Sequence, residues 1–224
     1  MFIKKLGNTK SLFKIANNNL TNPLKMTQVC DAFCPDIYKA KCLEALKCEN
    51  PHEIVIFLDK KSGRYLCEFS GSAQECAINL PKVSEPLILL HAHPPVDGVS
   101  LPVSIQDFLI MNDSNIDKII AYNIKGEESY LQKTSQFKPL KHKQIINLQA
   151  DYIRHIVSTA SEKEAEKIDA LARYCIKHKG SDMVKQEIAQ CLMKLQFKSS
   201  EIVDSFWRNN ATKLNLEYFS NFNK

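Results

Sequence analysis

At 224 residues, with 44% apolar and 25% charged side chains, the chain has room for one good-sized domain, or a compact domain with an appendage. Its longest apolar runs, Ile54–Leu58 and Leu87–Leu90, have the length of buried strands, so no bilayer-spanning segment is expected. The formal charge of +5 is carried by an N-terminal arm: Lys4, Lys5, Lys10, Lys14 and Lys25 precede Asp31, the first acidic residue.

Residues 1–24 read as a basic, flexible arm without clear periodicity. It serves as a plain leader, a targeting segment or a contact for an acidic partner. No apolar core follows its lysines, as a secretory signal would need, and it has no arginine, unlike a mitochondrial presequence. Elsewhere basic residues are interspersed with acids and no aromatic-plus-basic stripe appears, so no nucleic-acid partner is expected. Pro35–Glu49 carries Tyr38, Cys42, Ala45 and Leu46 at helical spacing, and Asn50-Pro51 stops that helix. Glu53–Leu58 and Arg64–Phe69, around Lys61-Ser62-Gly63, predict a hairpin. Pro86–His93 predicts a buried strand, Ser104–Met111 a short helix capped by Ser104, and Lys118–Asn123 with Ser129–Leu131 a second hairpin.

From Gln144 the pattern turns helical. Ser161 and Glu164 form a capping box, and Lys177-His178-Lys179-Gly180 has the cations and glycine of a helix end. Val184, Ile188, Cys191, Leu192 and Leu195 make a further stripe, and Ile202 and Phe206 begin a last one; strands are expected to end by residue 132. The fold class read from this order is α+β: a mixed sheet flanked by helices, with a helical C-terminal extension. The corresponding regions are 1–24, 25–135 and 140–224. Of eight cysteines, Cys30, Cys34, Cys42 and Cys48 cluster, and Cys67, Cys76, Cys175 and Cys191 are scattered. The cluster lacks a tight CxxC knuckle and the chain is long enough to bury a core without disulfides. Reduced, mostly buried thiols in a cytoplasmic protein are therefore expected over a second zinc site.

The chemistry is concentrated in His91-Ala92-His93-Pro94 and Ser104-Ile105-Gln106-Asp107. Residues two apart on a strand share a face, so His91 and His93 aim at one point while Ala92 faces the core. Pro94 ends the strand there. Asp107 falls in the first turn of the helix that Ser104 opens, where a carboxylate is favoured and can face both imidazoles. Two histidines and one carboxylate, with a fourth position for water, are the donor pattern of catalytic zinc.

HAHP followed by SIQD resembles the HxHP…SxxD motif of the JAMM (MPN-type) zinc metalloproteases, in particular the bacterial and phage branch that includes RadC-like proteins. The resemblance covers residues 50–132: Glu53 matches the glutamate on an earlier strand, Asp59–Gly63 the turn after it, and IDKIIAYN and ESYLQ the following strands. It implies a JAMM/MPN-like core and a zinc-dependent hydrolase of peptide or isopeptide bonds, possibly those of ubiquitin-like conjugates. His91, His93 and Asp107 would hold Zn2+, a metal-bound water would attack, Glu53 would act as general base and acid, and Ser104 would donate to the oxyanion. Ten residues separate His93 from Ser104, more than is usual for the family. Ser104 and Asp107 are assigned over Ser100 and Asp97 because they keep the SxxD interval and a helix start. The segment Pro95–Leu101 is expected to be a lid or a specificity element over the site, with Gly98 able to hinge it.

Two alternatives remain. Another metal-dependent hydrolase, such as an amidohydrolase barrel, would need about 250 residues, eight strands and further ligands. An inactive MPN-like scaffold that binds protein partners would typically lack one or more of these five residues, all of which are present.

Overall fold

The structure, a computed structural model, describes residues 35–72, 76–177 and 182–222. The basic arm, Cys30, Cys34 and the helix end at 178–180 lie outside those residues.

Helix α1 (Pro35–Lys47) begins on proline, with Asp36 in its first turn and Lys47 in its last. Tyr38, Cys42, Ala45 and Leu46 form its buried stripe, as the spacing predicts. Strand β1 (Ile54–Asp59) is buried on both faces. It turns into β2 (Tyr65–Ser70) through Gly63, whose φ of 69° requires the left-handed region that glycine tolerates. The Asp59 carboxylate accepts from both Ser62 Oγ and Ser62 N, and these bonds hold its pKa below the ordinary carboxylate value.

Strand β3 (Leu87–Ala92), helix α2 (Ile105–Asn112) and β4 (Ile116–Tyr122) form a parallel crossover unit; β5 (Glu128–Lys133) returns antiparallel to β4. Four helices follow: α3 (His142–Val157), α4 (Glu162–Lys177), α5 (Asp182–Gln196) and α6 (Ser200–Asn210). Ser161 and Glu164 make the expected cap of α4, with Ser161 N and Oγ both donating to Glu164 Oε2.

One expectation is corrected. Strands do not end at residue 132, because after a 3-10 turn (Thr212–Leu214) the chain reverses at Asn215 and forms β6 (Leu216–Ser220) against β5. The result is a mixed six-stranded sheet in the order β2-β1-β3-β4-β5-β6. The fold is α+β, with a helical C-terminal extension that then adds this edge strand.

Strand alternation divides the core in two. Ile54, Ile56, Leu58, Leu90, Ala92 and Tyr122 face α1. Val55, Phe57, Leu87, Leu89, Ile119 and Leu131 face the other way, onto α2, α3 and α6 through Phe108, Tyr152, Phe206 and Trp207. The C-terminal helices thus complete the same apolar core as the sheet, while α4 and α5 also share a small cluster of their own around Ala172, Cys175, Val184 and Ile188. No helix among the described residues is long and apolar enough to cross a membrane.

Candidate metal centre

His91 is the second-last residue of β3, opposite Val55 of β1, on the sheet face that α2 covers. The ladder continues one step past the strand, where His93 N donates to Tyr122 O at 2.8 Å. His93 therefore keeps the parity of His91, and the ring centroids lie 4.3 Å apart at 80°. Ala92 points to the opposite core. Extending the β1–β3 register two residues beyond Val55–His91 sets Glu53 across from His93. Backbone bonds to Gly71 and Ser72 keep Glu53 in that extended line. Asp107 arrives from α2, whose cap Ser104 has extended backbone (φ −92°, ψ 174°).

The hydrogen bonds fix the histidine tautomers. A carbonyl oxygen only accepts, so His93 Nδ1, 2.6 Å from Leu101 O, carries a proton and leaves a lone pair on Nε2. His91 Nδ1 donates likewise to Glu53 Oε1 at 3.2 Å. Its Nε2, on a side chain only 1% exposed, has no hydrogen-bond partner. An orphaned buried ring nitrogen costs free energy unless something else occupies its lone pair.

Asp107 Oδ1 lies 3.6 Å from His91 Nε2, and Asp107 Oδ2 lies 3.8 Å from His93 Nε2. Both separations are too long for hydrogen bonds. Two donors on one tetrahedral zinc, each at about 2.0–2.2 Å, stand about 3.4 Å apart. The spacing therefore fits a cation between these groups better than direct contact. Donor atoms of Glu53, His91 and His93 also lie within 4.8 Å of one another, and among the described residues this group can hold a metal ion. Glu53 and Asp107 thus approach the histidine pair from opposite sides. Asp107 faces the two Nε2 atoms, but the group whose donor atoms all converge within 4.8 Å is completed by Glu53 and does not include Asp107.

Charge supports the same picture. Burial alone would lower the pKa of His91, but the carboxylates of Asp107 and Glu53 outweigh it and leave the value raised. Burial and the neighbouring His91 hold His93 below the ordinary histidine value. Burial would raise Asp107, yet the two imidazoles and the Ser104 bonds keep it lowered. Two carboxylates around two imidazoles make a pocket suited to added positive charge.

Ser104 is tied to Asp107 by a reciprocal cap: Ser104 N and Oγ donate to Asp107 Oδ2 at 2.7 and 2.8 Å, and Asp107 N donates back to Ser104 Oγ at 3.4 Å. The hydroxyl anchors the carboxylate here, and donation to an oxyanion would require its proton to be redirected.

The segment between the two halves of the motif contains a turn of its own. Val96 and Val99 exchange backbone bonds of 2.9 and 3.0 Å around Asp97 and Gly98, both at positive φ, which is a two-residue hairpin. Of the cysteine cluster, Cys42 is buried under α1 with its pKa pushed up to about 12 by desolvation, while Cys48 sits exposed beyond the helix end. These two do not converge.

Sequence patterns did not reveal the groups that support the site: the Leu101 carbonyl, both polar groups of Val103, Ser129 and Trp207. The Leu101 contact spans eight positions and those of Val103 span 26 and 104, and no local spacing signals them. No family, no curated protein and no solved structure matches the chain.

Proposed function

We propose that the protein is a zinc-dependent hydrolase of the JAMM type that cleaves a peptide or isopeptide bond in a protein substrate. The observation that carries this reading is the buried, unpartnered Nε2 of His91, with His93 and two carboxylates gathered around it: Asp107 at 3.6 and 3.8 Å from the two Nε2 atoms, and Glu53 in the group whose donor atoms converge within 4.8 Å. The HxHP…SxxD resemblance adds the hydrolytic reading, and Glu53, which accepts from His91 Nδ1 on the other side of the ring, is the carboxylate that would have to turn toward the metal to act as base.

Zinc bound there supplies Lewis acidity toward a carbonyl oxygen and lowers the pKa of water toward neutrality. Glu53 takes a proton from the water that adds to the scissile carbon and returns it to the leaving nitrogen as the C–N bond breaks. His91 keeps Glu53 in place through Nδ1, and His93 is held by Leu101 O, so neither ring must reorient. Ser104, turned from Asp107, is the side-chain donor for the oxyanion.

The resemblance favours an extended tail over a folded loop as substrate, although β3 lies between β1 and β4 in the sheet and the site is therefore not at a sheet edge. The zinc-loaded protein is to be incubated with isopeptide-linked ubiquitin-type dimers, linear fusions and unstructured peptides, with Glu53→Gln as the blank. Cleavage of one class by the wild type alone is the expected result. Zinc-loaded protein that cleaves none of them, but acts on a small amide or phosphoester, would remove the protein-substrate reading.

A further inference from the structure

We infer that Ser129 and Trp207 are positioning residues for Asp107, so that the C-terminal helices form part of the metal centre and not only an appendage to it. The inference rests on the zinc site proposed above. The two histidines are placed by the sheet, but Asp107 reaches them only after ten intervening residues and a helix start, and that connection has to be held.

It is held at Val103, the residue before the Ser104 cap, which is fully buried. Neither polar group of Val103 has a sheet or helix partner. Its N–H donates to Ser129 Oγ of β5 at 2.8 Å, and its carbonyl accepts from Trp207 Nε1 of α6 at 2.7 Å. Ser129 and Trp207 are themselves wholly buried, so each bond is shielded from water. The Trp207 ring also packs 5.7 Å from Phe108, the residue next to Asp107. From Val103 the path to the carboxylate is short and rigid: Ser104 follows directly and binds Asp107 Oδ2 through both N and Oγ. Two residues earlier, the Leu101 carbonyl accepts from His93. The stretch from 101 to 104 is thus fastened to one histidine, to β5 and to α6, and it delivers Asp107 opposite both Nε2 atoms.

The test measures metal binding directly. Zinc dissociation constants are obtained by chelator competition for the wild type, Trp207→Phe, Ser129→Ala and, as a control, Phe206→Leu, an equally buried aromatic that makes no bond to Val103. Replacing groups that orient metal ligands lowers affinity by about 10–100-fold. Because Ser129 and Trp207 act through Val103, a loss at the low end, about tenfold, is expected for Trp207→Phe and Ser129→Ala while circular dichroism shows a folded apo protein. In the cobalt(II)-substituted forms the visible absorption should weaken, as Asp107 gives way to water and the ion gains coordination. Phe206→Leu should lower the melting temperature yet leave the zinc constant and the cobalt spectrum unchanged. Where Trp207→Phe fails to fold, Ser129→Ala, which removes a single oxygen, decides alone. Wild-type affinity and spectrum in the positioning variants would overturn the inference, as would an equal loss in Phe206→Leu. Failure of the underlying site looks different: a wild type that binds no zinc, or that still binds it after His91→Ala.

Discussion

Replacing Ser104 with alanine separates two roles that one hydroxyl could play. In the structure Ser104 Oγ donates to Asp107 Oδ2 at 2.8 Å and accepts from Asp107 N at 3.4 Å, while Ser104 N independently holds Oδ2 at 2.7 Å. The substitution removes the helix cap and one bond to a carboxylate, but not the backbone bond. Loss of a serine cap costs roughly 0.5–2 kcal/mol, and the surviving amide bond places the expectation near the middle, about 1–1.5 kcal/mol. For a chain of this size each kcal/mol shifts the melting temperature by about 2–4 °C, so the metal-free protein should melt about 2–6 °C lower. Zinc affinity should fall by no more than about tenfold, the low end for groups that orient a ligand. At saturating zinc, kcat then reports the second role. If Ser104 donates to the oxyanion, kcat drops by about 10²–10³ beyond any loss of metal; if it only anchors Asp107, kcat is close to wild type. An unchanged melting temperature together with an unchanged zinc constant would refute the anchoring account.

Glu53→Gln keeps an acceptor for His91 Nδ1 and should retain the metal while turnover falls by orders of magnitude; zinc loss in this variant would make Glu53 a ligand instead of the base. Alkylation at pH 8 should label exposed Cys48 readily and Cys42 only after unfolding, because a buried thiol with its pKa at about 12 is about 10⁻⁴ thiolate there. Rapid native labelling of Cys42, read by peptide mass, would contradict its packing under α1. Gly98→Ala should strain the hairpin by about 1 kcal/mol, since φ is +83° although an added Cβ meets nothing within 4 Å. Faster hydrogen exchange at the Val96 and Val99 amides is the readout, with zinc affinity unaltered; unchanged exchange would mean that the turn does not order this segment.

What was legible in the sequence was local in character. The stripe Tyr38-Cys42-Ala45-Leu46 named the buried face of α1, because helical period and burial are the same information. The parity of His91 and His93, the proline after them and the cap at Ser104 likewise gave a shared sheet face and a helix start at residue 105. Strand β6 was missed for the converse reason. It has five residues and lies at an edge, with an alternating exposed pattern, and it depends on a left-handed Asn215 and on β5 for its identity. The support of the site was invisible for a different cause. Val103 looks like any apolar residue, and its two bonds come from side chains brought near only by the finished fold. Glu53 lies just before β1 rather than in it, and its bond to His91 Nδ1 follows from a β1–β3 register that no single segment encodes.

The most direct test of the central claim is the metal content of the purified chain, determined by elemental analysis under zinc-replete conditions for the wild type and for His91→Ala, His93→Ala and Asp107→Ala. With both Nε2 lone pairs and the Asp107 carboxylate as donors, about one zinc per wild-type chain is expected, with near-complete loss in each histidine variant and strong weakening in Asp107→Ala. A folded wild type free of zinc, or one whose zinc survives all three substitutions, would contradict the assignment.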